Sequence, residues 1–284
     1  MQLTVGEHTI DCTDRTAVMA ILNVDTDSPI AESVVSADAA LDRARMLRDD
    51  GAEIIDVGAH STRSGGALVP PHEEIERVCP VVEILAREGF LVSVDTWTGS
   101  VAQAAAAAGA HILNDVTAGK DPQLVRVAAE RHLPLIIMHM RGQPTRHREV
   151  DQHYAEVGPE VRAFLIERAE TLGAAGVADL WLDPGFQFGK SADDNLRMLD
   201  DLPNLLALGR PVVVSASRKG FLSELLGEGY GQQTPGLLPA TLAFNTLAAA
   251  AGAHIVRVHD VAEIAAALRV VDAIRARRRH DAGR

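Results

Sequence analysis

The stretch EIIDVGAHSTR, residues 53–63, decides the fold class. An apolar, strand-like run reaches Val57 and then gives way to Gly58-Ala59-His60-Ser61-Thr62-Arg63, small and polar residues suited to a loop. Helix-forming residues follow from Pro71. The same order recurs along the chain. VMAIL leads to Asn23, FLVSV to Asp95-Thr96, HIL to Asn114-Asp115, and DLWL to Asp183. PLIIMHM occupies 134–140, PVVVSA leads to Ser217-Arg218-Lys219, and AHIV to Arg257-Val258-His259-Asp260. Eight strand–loop–helix units predict a (β/α)8 TIM barrel, in which the loops after the strands gather at one mouth. A doubly wound open sheet shares this alternation, but its glycine fingerprint for a dinucleotide is absent, which favours the barrel.

Working outward, residues 2–17 alternate weakly and predict a short N-terminal hairpin that plugs the barrel floor. A loop is expected from Asn23 to about Ser36, with a helix after it ending at Gly51. The next helix starts near Pro71 and contains Pro80, a potential kink. VAQAAAAAG (101–109) is helical by propensity. DPQLVRVAAERH (121–132) has Asp121 as N-cap and Pro122 at the first helical position. VGPEVRAFLIERAETLGAAG (157–176) reads as the longest helix and ADDNLRMLDDL (192–202) as the sixth. LLPATLAFNTLAAAAG (237–252) and VAEIAAALRVVDAIRARRR (261–279) complete the set, with RARRRH at 275–280 read as a solvated, frayed end. No low-complexity linker divides the chain, so residues 1–284 are expected to form one domain.

With 284 residues, 47% of them hydrophobic, the chain can bury a large core. A net charge of −12 argues against a broad nucleic-acid-binding face, so an anionic ligand would need locally clustered arginine and lysine. Cys12 and Cys79 lack metal-ligand spacing and suit a reducing compartment. With no signal peptide and only short apolar runs, a cytoplasmic protein with no membrane span is expected.

Two chemical groups emerge at the strand ends. Asp56, Asp95 and Asp183 each lie there, and N-capping the following helix is the simple role for any one of them. Several facing one cavity imply more. Asp95, Asn114 and Asp183 could accept the N–H donors of an amide-bearing heterocycle, with Lys219 donating to its carbonyl or ring nitrogen. Asn23, Arg63, Arg257 and His259 follow the first, second and eighth strands, neighbours in a closed barrel. Arg257 and His259 share an orientation because strand side chains alternate. Arg and protonated His make charge-assisted bonds to phosphate oxygens. The histidines at 132, 139, 147 and 153 fit no zinc motif.

These residues sit in stretches that resemble the dihydropteroate synthases. The matches are MAILNV (19–24), GAEIIDVGAHSTR (51–63), VSVDT (92–96), ILNDV (112–116), IIMHMRGQP (136–144), LDPGFQFGKSADDNL (182–196), SRKGF (217–221) and GAHIVRVHDVAE (252–263). They follow the family's order over nearly the whole chain. The resemblance implies a TIM barrel that joins 6-hydroxymethyl-7,8-dihydropterin pyrophosphate to the amine of p-aminobenzoate in folate biosynthesis, releasing pyrophosphate with magnesium. It places Asp95, Asn114, Asp183 and Lys219 on the pterin ring, with Met138 and Phe188 lining the pocket. Asn23, Arg63, Arg257 and His259 would bind pyrophosphate, Asn23 also assisting magnesium. Thr62, Arg63, Ser64 and Gly220 fall on the acceptor side. A homodimer through the late helices is implied as well.

The chain departs from the family where the acceptor would sit. The usual NVTPDSFSDGG reads NVDTDSPIAES at 23–33, so Pro29 stands for an aromatic and Ala31 for an acid. STRPG becomes Ser61-Thr62-Arg63-Ser64-Gly65, and SRKS ends in Gly220 instead of a serine that helps position the aminobenzoate carboxylate. On the pterin side, Ser215 stands where a glycine is usual at the pocket floor. Weaker sulfonamide inhibition is expected, since these drugs imitate the acceptor. Competing readings are a pterin-binding paralogue with another acceptor or no synthase activity, a folate-binding methyltransferase module, and a noncatalytic scaffold.

Overall fold

The computed structural model describes residues 1–24, 37–59 and 68–282. It opens with an antiparallel hairpin of β1 (Gln2–Val5) and β2 (His8–Asp11). The strands β3 (Ala17–Asn23), β4 (Ile54–Gly58), β5 (Val92–Asp95), β6 (Ile112–Asp115), β7 (Leu135–Met138), β8 (Leu180–Asp183), β9 (Val213–Val214) and β10 (Ile255–Val258) follow. Between them run α1 (Ala37–Asp49), α2 (Pro71–Arg87), α3 (Gly99–Ala107), α4 (Pro122–Glu130) and α5 (Val157–Ala174). Then come α6 (Ala192–Asp200), α7 (Leu202–Leu206), α8 (Gly220–Leu225), α9 (Leu237–Ala251) and α10 (Val261–Ala282). Strands β3 to β10 form one parallel sheet in the order β8-β7-β6-β5-β4-β3-β10-β9. A bridge from Leu182 to Val212 joins the two ends, so the sheet closes into the expected TIM barrel.

Side-chain alternation explains how one sequence builds both a core and a site. On β4, Ile55 and Val57 face the helical layer while Ile54 and Asp56 face the barrel interior. The same parity puts Met19, Leu91, Ile112, Ile136, Trp181, Val213 and Ile255 inside, in one buried cluster. Leu3, Val5, Ile10 and Cys12 of the hairpin region belong to that cluster, so the N-terminal segment closes the floor. Two residues further along each strand the interior changes character. Ile21, Asp56, Ser93, Asn114, Met138, Asp183, Ser215 and Arg257 occupy the next layer by parity, polar at all but Ile21 and Met138, and it opens toward the loops. The apolar floor keeps water out beneath; the polar layer above faces the mouth.

Local signals act as expected at α4, where the Asp121 side chain accepts from the Gln123 backbone at 2.8 Å. Helix α2 continues through Pro80 without interruption. Two expectations are corrected. The longest described helix is α10, with 22 residues against 18 in α5. Its RARRRH end is helical through Ala282 and not frayed, because Arg275 donates to Thr16 Oγ1 and Arg279 to the Thr13 carbonyl. The short helices α7 and α8 escaped the periodicity reading because a turn or two carries too little amphipathic pattern. No described helix is long and apolar enough to cross a membrane.

Candidate active site

The polar interior layer is organised around Arg257. Its Nε donates to Asp56 Oδ2 at 2.5 Å and its Nη2 to Asp95 Oδ2 at 2.6 Å. Asn114 Nδ2 donates to the same Asp56 oxygen at 3.2 Å. Asp56 is fully buried, and a carboxylate there would be very costly without these donors. Burial alone would lower the Arg257 pKa, but Asp56 and then Asp95 more than offset it, so the guanidinium is held charged. The sequence reading placed Arg257 among the anion ligands. Its first partners in the structure are carboxylates, and its remaining N–H groups are what an anion could use.

Asp183 and Lys219 extend the group. Asp183 Oδ1 accepts from the Gly185 backbone at 2.7 Å. Burial pushes its pKa up to about 6, against the opposing pull of that N–H, Lys219, Lys190 and Arg257. The Lys219 ammonium is pushed down to about 8 by burial and then by Arg257, with Asp183 and Asp95 acting the other way. Its Nζ lies 4.5 Å from the centre of the Phe188 ring. Asp95, Asp183, Lys219 and Arg257 therefore act on one another at one mouth. The capping role considered for Asp56 and Asp95 gives way to Arg257, and Asp183 binds the turn after its strand.

Apolar residues form an adjoining wall. Met138 and Phe188 cluster with Val116 and Met140, and Trp97 packs against them. The turn that carries Phe188 is held by Lys190, whose buried Nζ donates to the Gly185 carbonyl at 2.8 Å and meets His139 Nδ1 at 2.9 Å. Burial lowers Lys190 to about 7 and His139 to about 2. Gly185 has φ +69°, and a Cβ there would collide with the His139 carbonyl oxygen. Only glycine allows the Asp183 loop to approach β7 so closely.

His259 requires a correction. It was expected to meet phosphate as a cation. Burial first, then Arg257, Lys219 and Arg218, hold its pKa well below the ordinary value, so the imidazole is neutral. Ser217 Oγ accepts from the His259 backbone N–H at 3.1 Å and lies 2.9 Å from Nδ1. A Ser217 O–H directed at Nδ1 would make that ring nitrogen the acceptor and leave the proton on Nε2. A neutral histidine can thus still donate to an anion. Asn23 ends β3 and is partly exposed. Arg63, Thr62 and Ser64, like Pro29 and Ala31, lie outside the described residues. Gly220 opens α8 beside Lys219.

Asp56, Trp97, Lys190 and Ser217 complete the site beyond the residues assigned from sequence. Asp56 and Ser217 were visible as polar strand-end residues, and Lys190 lies within a matching motif. Trp97 follows Asp95-Thr96 and had no signal of its own.

A closed barrel whose interior layer offers carboxylates, an amide and a lysine beside an aromatic wall defines a site for a flat, nitrogen-rich ring. In agreement, the profile of the family described as "Pterin binding enzyme" matches residues 19–259. A dihydropteroate synthase of Escherichia coli strain K12 is 41% identical over 263 residues, 90% of this chain and 90% of its own length. A probable bifunctional folylpolyglutamate synthase/dihydropteroate synthase of Haloferax volcanii is 44% identical over 95% of this chain, which spans only 32% of that longer protein. A Xanthomonas albilineans dihydropteroate synthase solved with 4-aminobenzoic acid superposes with a TM-score of 0.86 at 38% identity, covering 97% of this chain and 98% of that one. The chain belongs to the dihydropteroate synthase family.

Proposed function

We propose that residues 1–284 act as one pterin-binding domain that condenses 6-hydroxymethyl-7,8-dihydropterin pyrophosphate with p-aminobenzoate in folate biosynthesis. The observation that carries this is the coupled group of Asp95, Asn114, Asp183, Lys219 and Arg257 at the barrel mouth. The family relationship supports the same reaction.

In this reading Asp95, Asn114 and Asp183 take the N–H groups of the pterin, and Lys219 donates to its carbonyl or ring nitrogen. Met138 and Phe188 supply apolar contact to the ring. Arg63, Arg257, the Nε2–H of neutral His259 and Asn23 receive the diphosphate. The bond from the pterin methylene to the diphosphate oxygen breaks, and its electron pair leaves with the diphosphate. The electron-rich pterin stabilises the methylene cation. The aryl amine nitrogen then bonds to that carbon and releases a proton to solvent. Catalysis consists of positioning and preorganised charge, with no side-chain nucleophile.

Magnesium suits this arrangement. It prefers oxygen donors, keeps several waters and is commonly held by few protein groups together with substrate phosphates. The described residues contain no cluster of three or more His, Cys, Asp or Glu able to hold a metal by themselves. The Asn23 carboxamide oxygen beside diphosphate oxygens fits a shared ion. When bound, magnesium would supply positive charge to the departing diphosphate.

We place the protein in the cytoplasm, in keeping with its two free thiols. We assign a homodimer to the exposed apolar Leu247 of α9 and Val270 and Ile274 of α10, which sedimentation can test. The direct test of the reaction is pyrophosphate release that depends on added p-aminobenzoate. No turnover with both substrates saturating overturns it, as does failure to support growth of cells lacking their own synthase.

A further inference from the structure

The acceptor side of the pocket is built differently from what the loss of a serine at 220 suggests. A Cβ on Gly220 would lie 2.7 Å from Cζ of Tyr230, so the tyrosine ring already fills the space where a side chain would begin. The Arg148 guanidinium carbon sits 3.6 Å from the centre of that ring. Arg148 follows His147, which is fully buried with its ring 4.8 Å from that of Phe188. Phe188 in turn lies beneath Lys219, the residue before Gly220. The contacts thus close a circuit through Lys219, Phe188, His147, Arg148, Tyr230 and Gly220. The β7–α5 and α8–α9 connections meet on it.

Within this circuit Arg148 is exposed at the rim. Among the described residues, Arg257 is paired with Asp56 and Asp95 and Arg218 with Asp260, while the Lys219 ammonium sits over the Phe188 ring. An aryl amine that reaches the pterin methylene with its nitrogen must carry its carboxylate at the other end, toward the rim. A guanidinium seated over an aromatic ring keeps N–H groups available for a carboxylate.

We propose that Arg148, seated on Tyr230 where a residue-220 side chain would otherwise project, is a specificity-determining residue that binds the acceptor's carboxylate. The proposal rests on the synthase reading above and adds residues to it.

Steady-state kinetics of the full chain with p-aminobenzoate and with uncharged 4-aminobenzamide test it. Arg148→Ala raises KM for p-aminobenzoate about ten-fold or more, the scale of one lost charged hydrogen bond. KM for the pterin pyrophosphate and the kinetics with 4-aminobenzamide stay near wild type, so the preference for the charged amine collapses. Arg148→Lys recovers part of it, Tyr230→Phe keeps it, and Tyr230→Ala loses it. An unchanged preference in Arg148→Ala, or equal losses with both amines, overturns the proposal while an active wild type leaves the synthase reading standing. A wild type that releases pyrophosphate with neither amine overturns the synthase reading itself.

Discussion

Arg257 Nη2 donates to Asp95 Oδ2 at 2.6 Å across 162 positions of sequence, and the same guanidinium holds Asp56. The strands concerned, β10 and β5, are not neighbours in the sheet; β3 and β4 lie between them. The pair therefore crosses the barrel interior and ties β10 to β5 and, through Asp56, to β4.

Removing that guanidinium leaves two carboxylates buried without their cation. Arg257→Met is expected to cost about 3–5 kcal/mol of stability, the usual consequence of breaking a buried pair from one side. Denaturant unfolding reads the loss, and calorimetry reads an accompanying failure to bind pterin pyrophosphate. A variant with unchanged midpoint and affinity would remove Arg257 from the centre of the site.

Asp183 opposes folding at neutral pH. Its folded pKa of about 6 exceeds the ordinary 3.8, so between these values the native chain binds more protons than the unfolded one. Its contribution to stability is present at low pH and is lost as pH rises through that window. Asp183→Asn should raise stability at pH 7 by about 2–3 kcal/mol, from roughly two pK units at 1.36 kcal/mol each. The same change should weaken pterin binding. Equal unfolding free energies at pH 7 would contradict this account.

Activity should follow the opposite carboxyl form. In the proposed binding mode, pterin recognition would use ionised Asp183 and protonated Lys219, whose pKa is pushed down to about 8. The kcat/KM for pterin pyrophosphate is expected to be bell-shaped, with limbs near pH 6 and pH 8 belonging to the coupled pair. A flat profile from pH 5 to 9 would exclude these groups from substrate recognition.

Ser217 acts through His259. Losing its hydroxyl frees the neutral imidazole to change tautomer, so Ser217→Ala should lower turnover about ten-fold, the scale of one hydrogen bond. Little change in unfolding midpoint is expected. Wild-type turnover in the variant would show that the Nδ1 contact does not direct the ring.

Sulfonamides test the altered acceptor side. The sequence has Pro29 where the family has an aromatic; an aromatic contact worth about 1 kcal/mol would make inhibition about five-fold weaker than for a family member that has it. Equal inhibition constants measured side by side would contradict this.

Most of the site was legible because polar residues placed after apolar runs have few explanations besides a shared mouth. Asp95, Asn114, Asp183, Lys219 and Arg257 were all found this way, and the structure brings them together. What was missed depends on contact. Asp56 looked like one more strand-end acid until its neighbours were known. His259 looked cationic because sequence carries no measure of burial. Tyr230 lay in an unremarkable loop.

The sequence by itself determined the architecture and the chemistry of the mouth, since strand parity and the order of eight repeating units depend only on local pattern. The tertiary structure alone decided who pairs with whom. Arg257 with Asp95, Ser217 with His259 and Tyr230 over Gly220 are meetings of distant segments. Protonation follows from those meetings, because burial and neighbouring charge set a pKa and neither is written in a linear chain.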